Sequence, residues 1–570
     1  MTLSSKLGAL SFFLLSSLAV NGCAQNGSTP TSASATQNAT MLAAQNARIR
    51  EVGEAMEGGG WNVYGNGFLG DWFVTPKAGK IKITVRAAGD PSANVFPVMR
   101  LWVNEKLLQT FTTDSTDYKE YSHEAEVPAG ITRVEVEFTN DTNGEIPDRN
   151  LRVMSLAVSD STLNPTVPKI GAAEIAQYRM GDLIIKGKAG TRVKIKQLRH
   201  EFPFGTALNH EMFQPRPAKQ VFTAEDRKMF GDLPPDKEWT AEEQKKHEAN
   251  RQKYLEIART WFNAGVHENA GKWYHTEKRQ GELNYADADR VLQWAQKNEI
   301  AMRGHTLFWA VDQYTPAWAK ALENDALEAK MKERTNEVMT RYQGRIDEWD
   351  VNNEMLHGDY FGQRLGARIN SDMFKWAKAA NPDAILYMND FSILSGDLGN
   401  AYFNQIKTLQ AAGAPIGGVG FQGHFRGAML VRPVKRELDR FATLGLPMKV
   451  TEYDMVLGEE EWRAKALEDL YRTCFAHPGI AGITMWGFWD GSHWNPGSGL
   501  FNLDWTPKME AKAYHDLVFK EWWTNEEAVI PKSGVLQGRA FYGRQQIEYG
   551  KKKIVVELQK SKGVKEVRLK

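Results

Sequence analysis

From Phe202 onward, the sequence alternates short apolar segments with longer segments of helical spacing. Tyr285–Glu299 is typical of the helical segments, with apolar residues recurring every three or four positions. Eight strand–helix alternations over about 320 residues predict an α/β fold, a (β/α)8 barrel spanning residues 201–525. The predicted strands are Phe204–Leu208, Gly265–Asn269, Ala301–Thr306, Ile346–Val351, Ala384–Met388, Gly417–Gln422, Met448–Thr451 and Gly482–Gly487.

A different pattern precedes the barrel, in which short alternating strands are separated by turn residues. This pattern predicts a small β-sandwich over residues 51–162. Residues 175–200 are interpreted as a β-hairpin leading into the barrel, and residues 526–570 as a small C-terminal β unit that we expect to pair with that hairpin. The predicted sandwich strands are Lys80–Ala87, Val98–Asn104, Thr132–Asn140 and Asn150–Val158.

The first 24 residues have the pattern of an export signal. Lys6 is followed by the apolar run Leu7–Val20 and then by small residues, as in secretory signals. The run is too short for a membrane span, and residues 25–50 are interpreted as a polar linker. We therefore expect a secreted protein, or one held to the cell envelope by a lipid on Cys23, with no transmembrane span.

Composition narrows the function classes. The chain has 71 Lys and Arg against 70 Asp and Glu, a balance that argues against nucleic-acid binding. With two cysteines, the chain cannot form a disulfide framework or a Cys-rich zinc module. The sequence contains no HExxH-type spacing, so a catalytic metal is not expected. The 18 Trp residues suit the binding of sugars, because Trp offers a flat apolar face with one polar handle. We expect a monomer.

Polar and aromatic residues are concentrated where the predicted barrel strands end, which is where barrel enzymes place their reactive groups. Glu354 and Glu452 follow different strands but would project into one mouth. A carboxylate pair across a sugar-binding cleft is the minimum machinery for glycoside hydrolysis, since one group protonates the leaving oxygen and the other attacks the anomeric carbon. The strand ends read HENAGKW (267–273), RGHTLFW (303–309), WDVNNE (349–354), FQGH (421–424), TEYD (451–454) and MWGFWDGSHW (485–494).

These motifs, in this order, resemble glycoside hydrolase family 10, mainly endo-β-1,4-xylanases, over about Phe202–Trp523. The run Tyr314–Trp318 and the segment around Glu354 are most similar to the plant-type branch. The resemblance implies a retaining enzyme without a catalytic cofactor, with Glu354 as acid/base and Glu452 as nucleophile. It also implies that His424, partnered by Asp454, orients the nucleophile. The implied sugar contacts are Glu268, Asn269, Lys272, His305, Trp309, Asn353, Gln422, Trp486 and Trp494.

The sequence departs from the family pattern just after Trp309. Most members have His and, two residues later, Gln, whereas this chain has Ala310 and Asp312. The change puts substrate preference and rate in question but leaves both carboxylates in place. Two alternatives therefore stay open beside xylan hydrolysis: the same mechanism on another β-1,4-glycan, and a polysaccharide-binding protein without catalysis.

A loop of the predicted sandwich carries a candidate calcium site. Asp141, Asp148 and Asn150 group oxygen ligands on one loop, and oxygen is the donor that calcium prefers. The loop resembles that of calcium-dependent xylan-binding modules, in which the ion itself contacts sugar hydroxyls. The implied partner is xylan or a related plant cell-wall polysaccharide. A stacking platform is the alternative way to hold sugar; its candidates are Trp61, Trp72 and Trp102.

Overall fold

The computed structural model describes residues 39–142, 148–224, 226–227, 233–427 and 429–569. The chain divides into two compact units, the first ending at Pro168 and the second beginning at Lys169. The predicted export signal, with Cys23, lies outside the described residues. Among the helices of the described ranges, none is both long and apolar enough to cross a lipid bilayer.

The first unit is a β-sandwich of two six-stranded sheets. Alternate side chains of the facing strands are buried between the sheets, such as Ile83 and Val85 of one and Val134 and Val136 of the other. This is the predicted β-sandwich. One sheet contains Ala39–Ala43, Glu54–Ala55, Trp61–Val63, Gly79–Asp90, Lys119–Val127 and Asn150–Ser159. The other contains Ile49–Arg50, Gly67–Thr75, Val98–Val103, Lys106–Thr112, Gly130–Phe138 and Thr162–Leu163.

The sandwich begins earlier than predicted. Ala39–Ala43 pairs antiparallel with the strand Asn150–Ser159, and a short 3-10 turn follows at Ala44–Asn46. Both lie in residues 25–50, so the prediction of a linker there is wrong from Ala39 onward. The small polar residues around this segment resemble a linker, but Leu42 and Ala44 are buried in the sandwich core.

The second unit contains a closed barrel of eight parallel strands, which confirms the predicted fold class. The first strand coincides with its prediction, whereas the seventh continues to Met455, beyond the predicted end at Thr451. The strands are Phe204–Leu208, Ala264–His267, Ala301–Gly304, Glu348–Asn353, Ile385–Asp390, Gly418–Phe421, Met448–Met455 and Ile480–Met485. Two short strands, Phe308–Trp309 and His424–Phe425, extend the barrel at its mouth.

Helices connect the barrel strands. Ala241–Trp261 begins with a capping box in which Thr240 and Glu243 satisfy each other's backbone N–H groups. The other longer helices are Ala172–Arg179, Ala286–Lys297, Asn324–Arg341, Ile369–Ala380, Gly399–Ala411, Val431–Ala442, Glu460–Ala476 and Met509–Asp516. The shorter elements are the helices Trp273–Thr276, Ala317–Lys320 and Tyr360–Leu365, the 3-10 turns His210–Phe213, Asp312–Tyr314 and Asp490–Ser492, the π-turn Leu517–Glu521 and the paired strands Lys219–Gln220 and Lys237–Glu238.

Strands that precede the barrel in the sequence and strands that follow it form a small β unit within the second unit. The predicted hairpin over residues 175–200 is wrong, because Met180–Lys186 and Arg192–His200 lie in different sheets and residues 175–179 belong to the helix Ala172–Arg179. Each strand pairs instead with strands beyond residue 524, and that pairing with the C-terminal strands was expected. Leu183, Ile185 and Ile547 lie in its apolar core. One sheet contains Val535–Phe541, Met180–Lys186 and Val564–Arg568; the other contains Asn525–Val529, Arg192–His200, Gly543–Tyr549 and Lys552–Leu558.

Candidate active site

Glu354 and Glu452 lie in the mouth of the barrel and are joined by a short chain of amide side chains. Asn389 Nδ2 donates to Glu452 Oε1 at 2.6 Å and to Asn353 Oδ1 at 3.0 Å. Asn353 Nδ2 in turn donates to Glu354 Oε1 at 3.1 Å, and Gln422 Nε2 donates to the same oxygen at 2.9 Å. The structure therefore brings together two carboxylates that lie on different strands, as the sequence predicts.

The two carboxyl groups have pKa values shifted in opposite directions. Burial raises the pKa of Glu354, and the negative charge of Glu452 raises it further, against the hydrogen bonds that Glu354 accepts. Burial acts in the same direction on Glu452, but His424 and the charge of His305 outweigh it and lower the pKa of Glu452. One group is thus suited to carry a proton while the other stays ionised, which is the division of work that glycoside hydrolysis needs.

His424 lies between Glu452 and Asp454. Its Nδ1 is 2.9 Å from Asp454 Oδ1, and its Nε2 is 3.4 Å from Glu452 Oε2. Burial disfavours the charged imidazole, but the two carboxylates outweigh burial and raise the pKa of His424 to about 9. A cationic His424 therefore faces Glu452 at neutral pH.

Three tryptophans surround the carboxylates. Trp309 Nε1 donates to Glu354 Oε2 at 2.7 Å, and the Trp309 ring stacks on Tyr314 with centroids 3.6 Å apart. Trp494 Nε1 donates to Asp454 Oδ2 at 2.7 Å while half of its surface stays exposed. Trp486 is buried, with its ring edge-on to His305. Trp494 thus has the open face that a sugar ring needs, whereas Trp309 also fixes the Glu354 carboxyl group.

Glu268, Asn269 and Lys272 form a second polar group that extends from the second barrel strand. Lys272 Nζ donates to Asn269 Oδ1 at 3.1 Å, and Asn269 Nδ2 donates to Glu268 Oε1 at 3.3 Å. Lys272 Nζ also lies 4.5 Å from the centroid of the Trp309 ring. Burial raises the pKa of Glu268 to about 7, against the charge of Lys272. The group offers both donors and acceptors to sugar hydroxyls beside the carboxylates.

His305 is held by a buried ion pair that sequence reasoning missed. Its Nδ1 lies 2.9 Å from Asp350 Oδ2, and Arg303 Nη2 donates to the other Asp350 oxygen at 2.6 Å. Asp350 is almost fully buried, so its charge is compensated by these two partners. Asp350 belongs to the motif WDVNNE, but Asp347 and Glu348 precede it within three residues, so the sequence did not single it out.

Asn389 is the second residue that sequence reasoning missed. It contacts Asn353 and Glu452, and its Oδ1 accepts from Thr451 Oγ1 at 2.6 Å. Asn389 directly follows the apolar run Ile385–Met388 of the fifth strand. A polar residue at the end of a buried strand was the feature from which the sequence could have identified it. Asn389 thus links Glu452 to Asn353, which in turn contacts Glu354.

Ala310 and Asp312, the two departures from the family pattern, lie beside the site. Ala310 is buried, and its backbone N–H donates to Asn353 O at 2.9 Å. Asp312 is exposed and pairs with Lys320 at 3.0 Å. Neither side chain takes part in the contacts that position Glu354 and Glu452.

The candidate calcium loop joins the two sheets of the sandwich; its residues 143–147 lie outside the described ranges. Asp148 Oδ1 accepts from Thr142 Oγ1 at 3.2 Å and from the backbone N–H of Arg149 at 3.0 Å. Asn150 Oδ1 is buried without a hydrogen-bond partner among the described residues. Burying a carbonyl oxygen costs free energy unless a hydrogen-bond donor or a cation compensates it. The loop therefore fits a calcium ion held by Asp141, Asp148 and Asn150.

The three tryptophans considered as a stacking platform already have partners. Trp61 Nε1 donates to Val52 O, and Trp102 Nε1 donates to Glu137 Oε2 at 2.8 Å. The guanidinium groups of Arg48 and Arg133 lie over the ring of Trp72, at 5.8 and 5.6 Å from its centroid. The described structure therefore favours the calcium loop over the aromatic platform.

Comparison with known proteins agrees with both units. Residues 237–518 match the model of glycosyl hydrolase family 10, and residues 82–170 match that of a Ca-dependent, xylan-binding carbohydrate-binding module. The anti-sigma-I factor RsgI6 of Acetivibrio thermocellus is 36% identical over 295 residues, which cover 52% of this chain and 39% of that protein.

Endo-1,4-beta-xylanase B of Thermotoga neapolitana is 33% identical over 264 residues, which cover 43% of this chain and 75% of that protein. Xylanase 10B from Thermotoga petrophila RKU-1, solved in complex with xylobiose, aligns with a TM-score of 0.47 and 27% identity over 56% of this chain and 94% of that one. The chain spans 39%, 34% and 31% of the lengths of three of its curated relatives. By its matched domain and its carboxylate pair, the chain belongs to glycoside hydrolase family 10.

Proposed function

We propose that the protein is a retaining endo-β-1,4-xylanase that cleaves internal bonds of xylan. The observation that carries the proposal is the pair Glu354 and Glu452, held in one hydrogen-bonded network with opposite pKa shifts. Membership of family 10 and the xylanases among its relatives support xylan as the substrate.

The proposed reaction has two steps. First, the ionised Glu452 attacks the anomeric carbon while Glu354 gives its proton to the departing glycosidic oxygen, leaving a glycosyl ester on Glu452. The negative charge of Glu452 disappears in this ester, so the pKa of Glu354 falls and its carboxylate can act as a base. Second, Glu354 takes a proton from water, the water oxygen attacks the anomeric carbon, and Glu452 leaves as a carboxylate. Two inversions give net retention.

The test is reducing-end release by the full chain from xylan, cellulose and mixed-linkage glucan side by side. Release from xylan, with little from the two glucans, is the expected result. Release mainly from a glucan would move the activity to another β-1,4-glycan. No release from any of the three, with xylan still retarding the protein in an affinity gel, would make it a binding protein and refute the proposal.

His424 sets the acidic side of the pH profile. Glu452 must be ionised to attack, and His424 lowers its pKa, so His424→Gln is expected to raise that pKa. The acidic limb of kcat/KM should therefore move to higher pH by roughly one unit. The alkaline limb, which follows loss of the proton from Glu354, should move less. A profile whose acidic limb stays in place would contradict the role given to His424.

We also propose that the first unit binds xylan through calcium held by Asp141, Asp148 and Asn150. When bound, the ion would offer coordination sites to sugar hydroxyls. Chelation is expected to weaken binding of the full chain to xylan by about tenfold, and added calcium should restore it. Asp148→Asn should reproduce the loss, whereas Asp117→Asn, which changes an exposed carboxylate of the same unit, should not. Binding that ignores both chelation and Asp148→Asn would refute calcium dependence.

We further propose export, supported by Lys6 and the apolar run Leu7–Val20. Cell fractionation tests it. Incorporation of a labelled fatty acid that is lost in Cys23→Ser would distinguish a lipid-anchored protein from a freely secreted one.

A further inference from the structure

His210, His275 and Asp287 form a compact cluster outside the catalytic network. One ligand atom from each lies within 4.8 Å of the others, and among the described residues this is the one cluster of three or more His, Cys, Asp or Glu side chains that meets such a spacing. The residues come from three elements: the turn His210–Phe213, the short helix Trp273–Thr276 and the first turn of Ala286–Lys297. None of them has a role in the proposed reaction.

The two imidazoles approach the same carboxylate oxygen. His275 Nε2 lies 3.1 Å and His210 Nε2 lies 3.9 Å from Asp287 Oδ2. In a tetrahedral zinc site with bonds of about 2.1 Å, neighbouring ligand atoms are about 3.4 Å apart. The two distances bracket this value, so small side-chain rotations suffice to place one ion between the three groups.

The surroundings of the cluster also favour a metal ion. Arg290 Nη1 binds the other oxygen of Asp287 at 2.6 Å and so fixes the carboxylate with Oδ2 toward the imidazoles, as outer partners of metal ligands do. His210 Nδ1 is buried without a hydrogen-bond partner among the described residues, and its Nε2 is beyond hydrogen-bonding distance of Asp287.

We propose that His210, His275 and Asp287 bind a divalent transition-metal ion such as Zn²⁺, with water completing its coordination. Two imidazole nitrogens and one carboxylate oxygen suit zinc and its neighbours, whereas calcium and magnesium prefer oxygen throughout. The ion would join the loop after the first barrel strand to the helix after the second.

The position suggests what the ion does. The backbone N–H of His275 donates to Lys272 O at 3.0 Å, and His210 directly follows Asn209. The backbone N–H of Glu268 donates to Leu208 O, one residue before Asn209, at 3.3 Å. A metal ion here would therefore hold the loop after Leu208 against the segment that carries Glu268 and Lys272, without taking part in bond cleavage.

The test uses the full chain, stripped with a chelator and then supplied with ZnCl2 in the presence of calcium. Calorimetry is expected to show zinc binding, and the midpoint of thermal unfolding should rise by about 3 °C at zinc concentrations roughly 100-fold above the dissociation constant. His275→Gln and His210→Gln should each weaken zinc binding by at least about 100-fold and remove the thermal shift. His515→Gln, which changes a partly exposed histidine elsewhere on the barrel, is the matched control and should change neither.

Two results would overturn the proposal: a stripped chain that takes up no zinc, and zinc binding that is equally tight in His275→Gln. If a variant does not fold, an anomalous-scattering map of the wild-type protein with zinc decides instead, since the peak must lie between the three side chains. None of these measurements depends on activity, so they are independent of the proposed reaction.

Discussion

Replacing Glu452 by glutamine is expected to lower kcat on xylan by about 10,000-fold or more, the largest loss that a single side chain should cause. An amide oxygen cannot attack the anomeric carbon and form the glycosyl ester. The shape of the side chain is kept. In the unchanged protein Asn389 Nδ2 donates to Glu452 Oε1 at 2.6 Å, and the amide oxygen of the variant can still accept this hydrogen bond. The loss should therefore be in chemistry and not in folding.

The measurement is kcat from reducing-end release, together with the affinity of the same variant for xylan. Affinity should stay close to that of the wild type, because the sugar-contact residues are untouched. Glu526→Gln, on an exposed strand of the small β unit, is the matched control and should retain full activity. A Glu452→Gln enzyme within tenfold of wild-type kcat would assign the nucleophile elsewhere.

Replacing Glu354 by glutamine is expected to lower kcat on xylan by about 100- to 10,000-fold, the range for loss of a general acid. The loss should be smaller for formation of the glycosyl ester from an aryl xyloside whose phenolate departs without protonation. Hydrolysis of that ester should then limit turnover, because no base remains to deprotonate the attacking water. The two substrates together separate the acid role of Glu354 from its base role.

Added azide gives a sharper readout for Glu354→Gln. Azide attacks the glycosyl ester without needing a base, so it should restore turnover of the aryl xyloside and give a β-glycosyl azide. The Glu452→Gln variant forms no ester and should not yield the β-product. Equal losses on both substrates with no azide rescue would show that Glu354 is not the acid/base.

The barrel could be predicted from the sequence because its strands are buried on both sides and therefore appear as apolar runs. The sandwich was predicted less completely. Lys119–Val127 has exposed charged residues along one face, and Lys106–Thr112 lies at the edge of its sheet with no residue fully buried. Such strands are held by neighbours that the sequence does not identify, so local pattern alone did not reveal them.

The candidate site likewise contains residues that the sequence predicted and residues that it missed. Glu354, Glu452 and His424 follow buried strands in specific motifs, and the structure brings them together. Asn389 and Asp350 were missed because their role is to position other side chains. A role of that kind depends on which strands are neighbours in the closed barrel, and that information is present only in the fold.

The pairing in the small β unit determines when, during synthesis, this part of the chain can fold. Lys194 of the strand Arg192–His200 pairs with Glu527, a residue 333 positions later, and Met180–Lys186 pairs with two strands beyond residue 534. During synthesis these two strands therefore leave the ribosome long before their partner strands exist, and their apolar side chains and strand edges stay uncovered meanwhile. Completion of this unit is a late, non-local event, so a nascent chain interrupted before residue 525 should depend on chaperones to avoid aggregation.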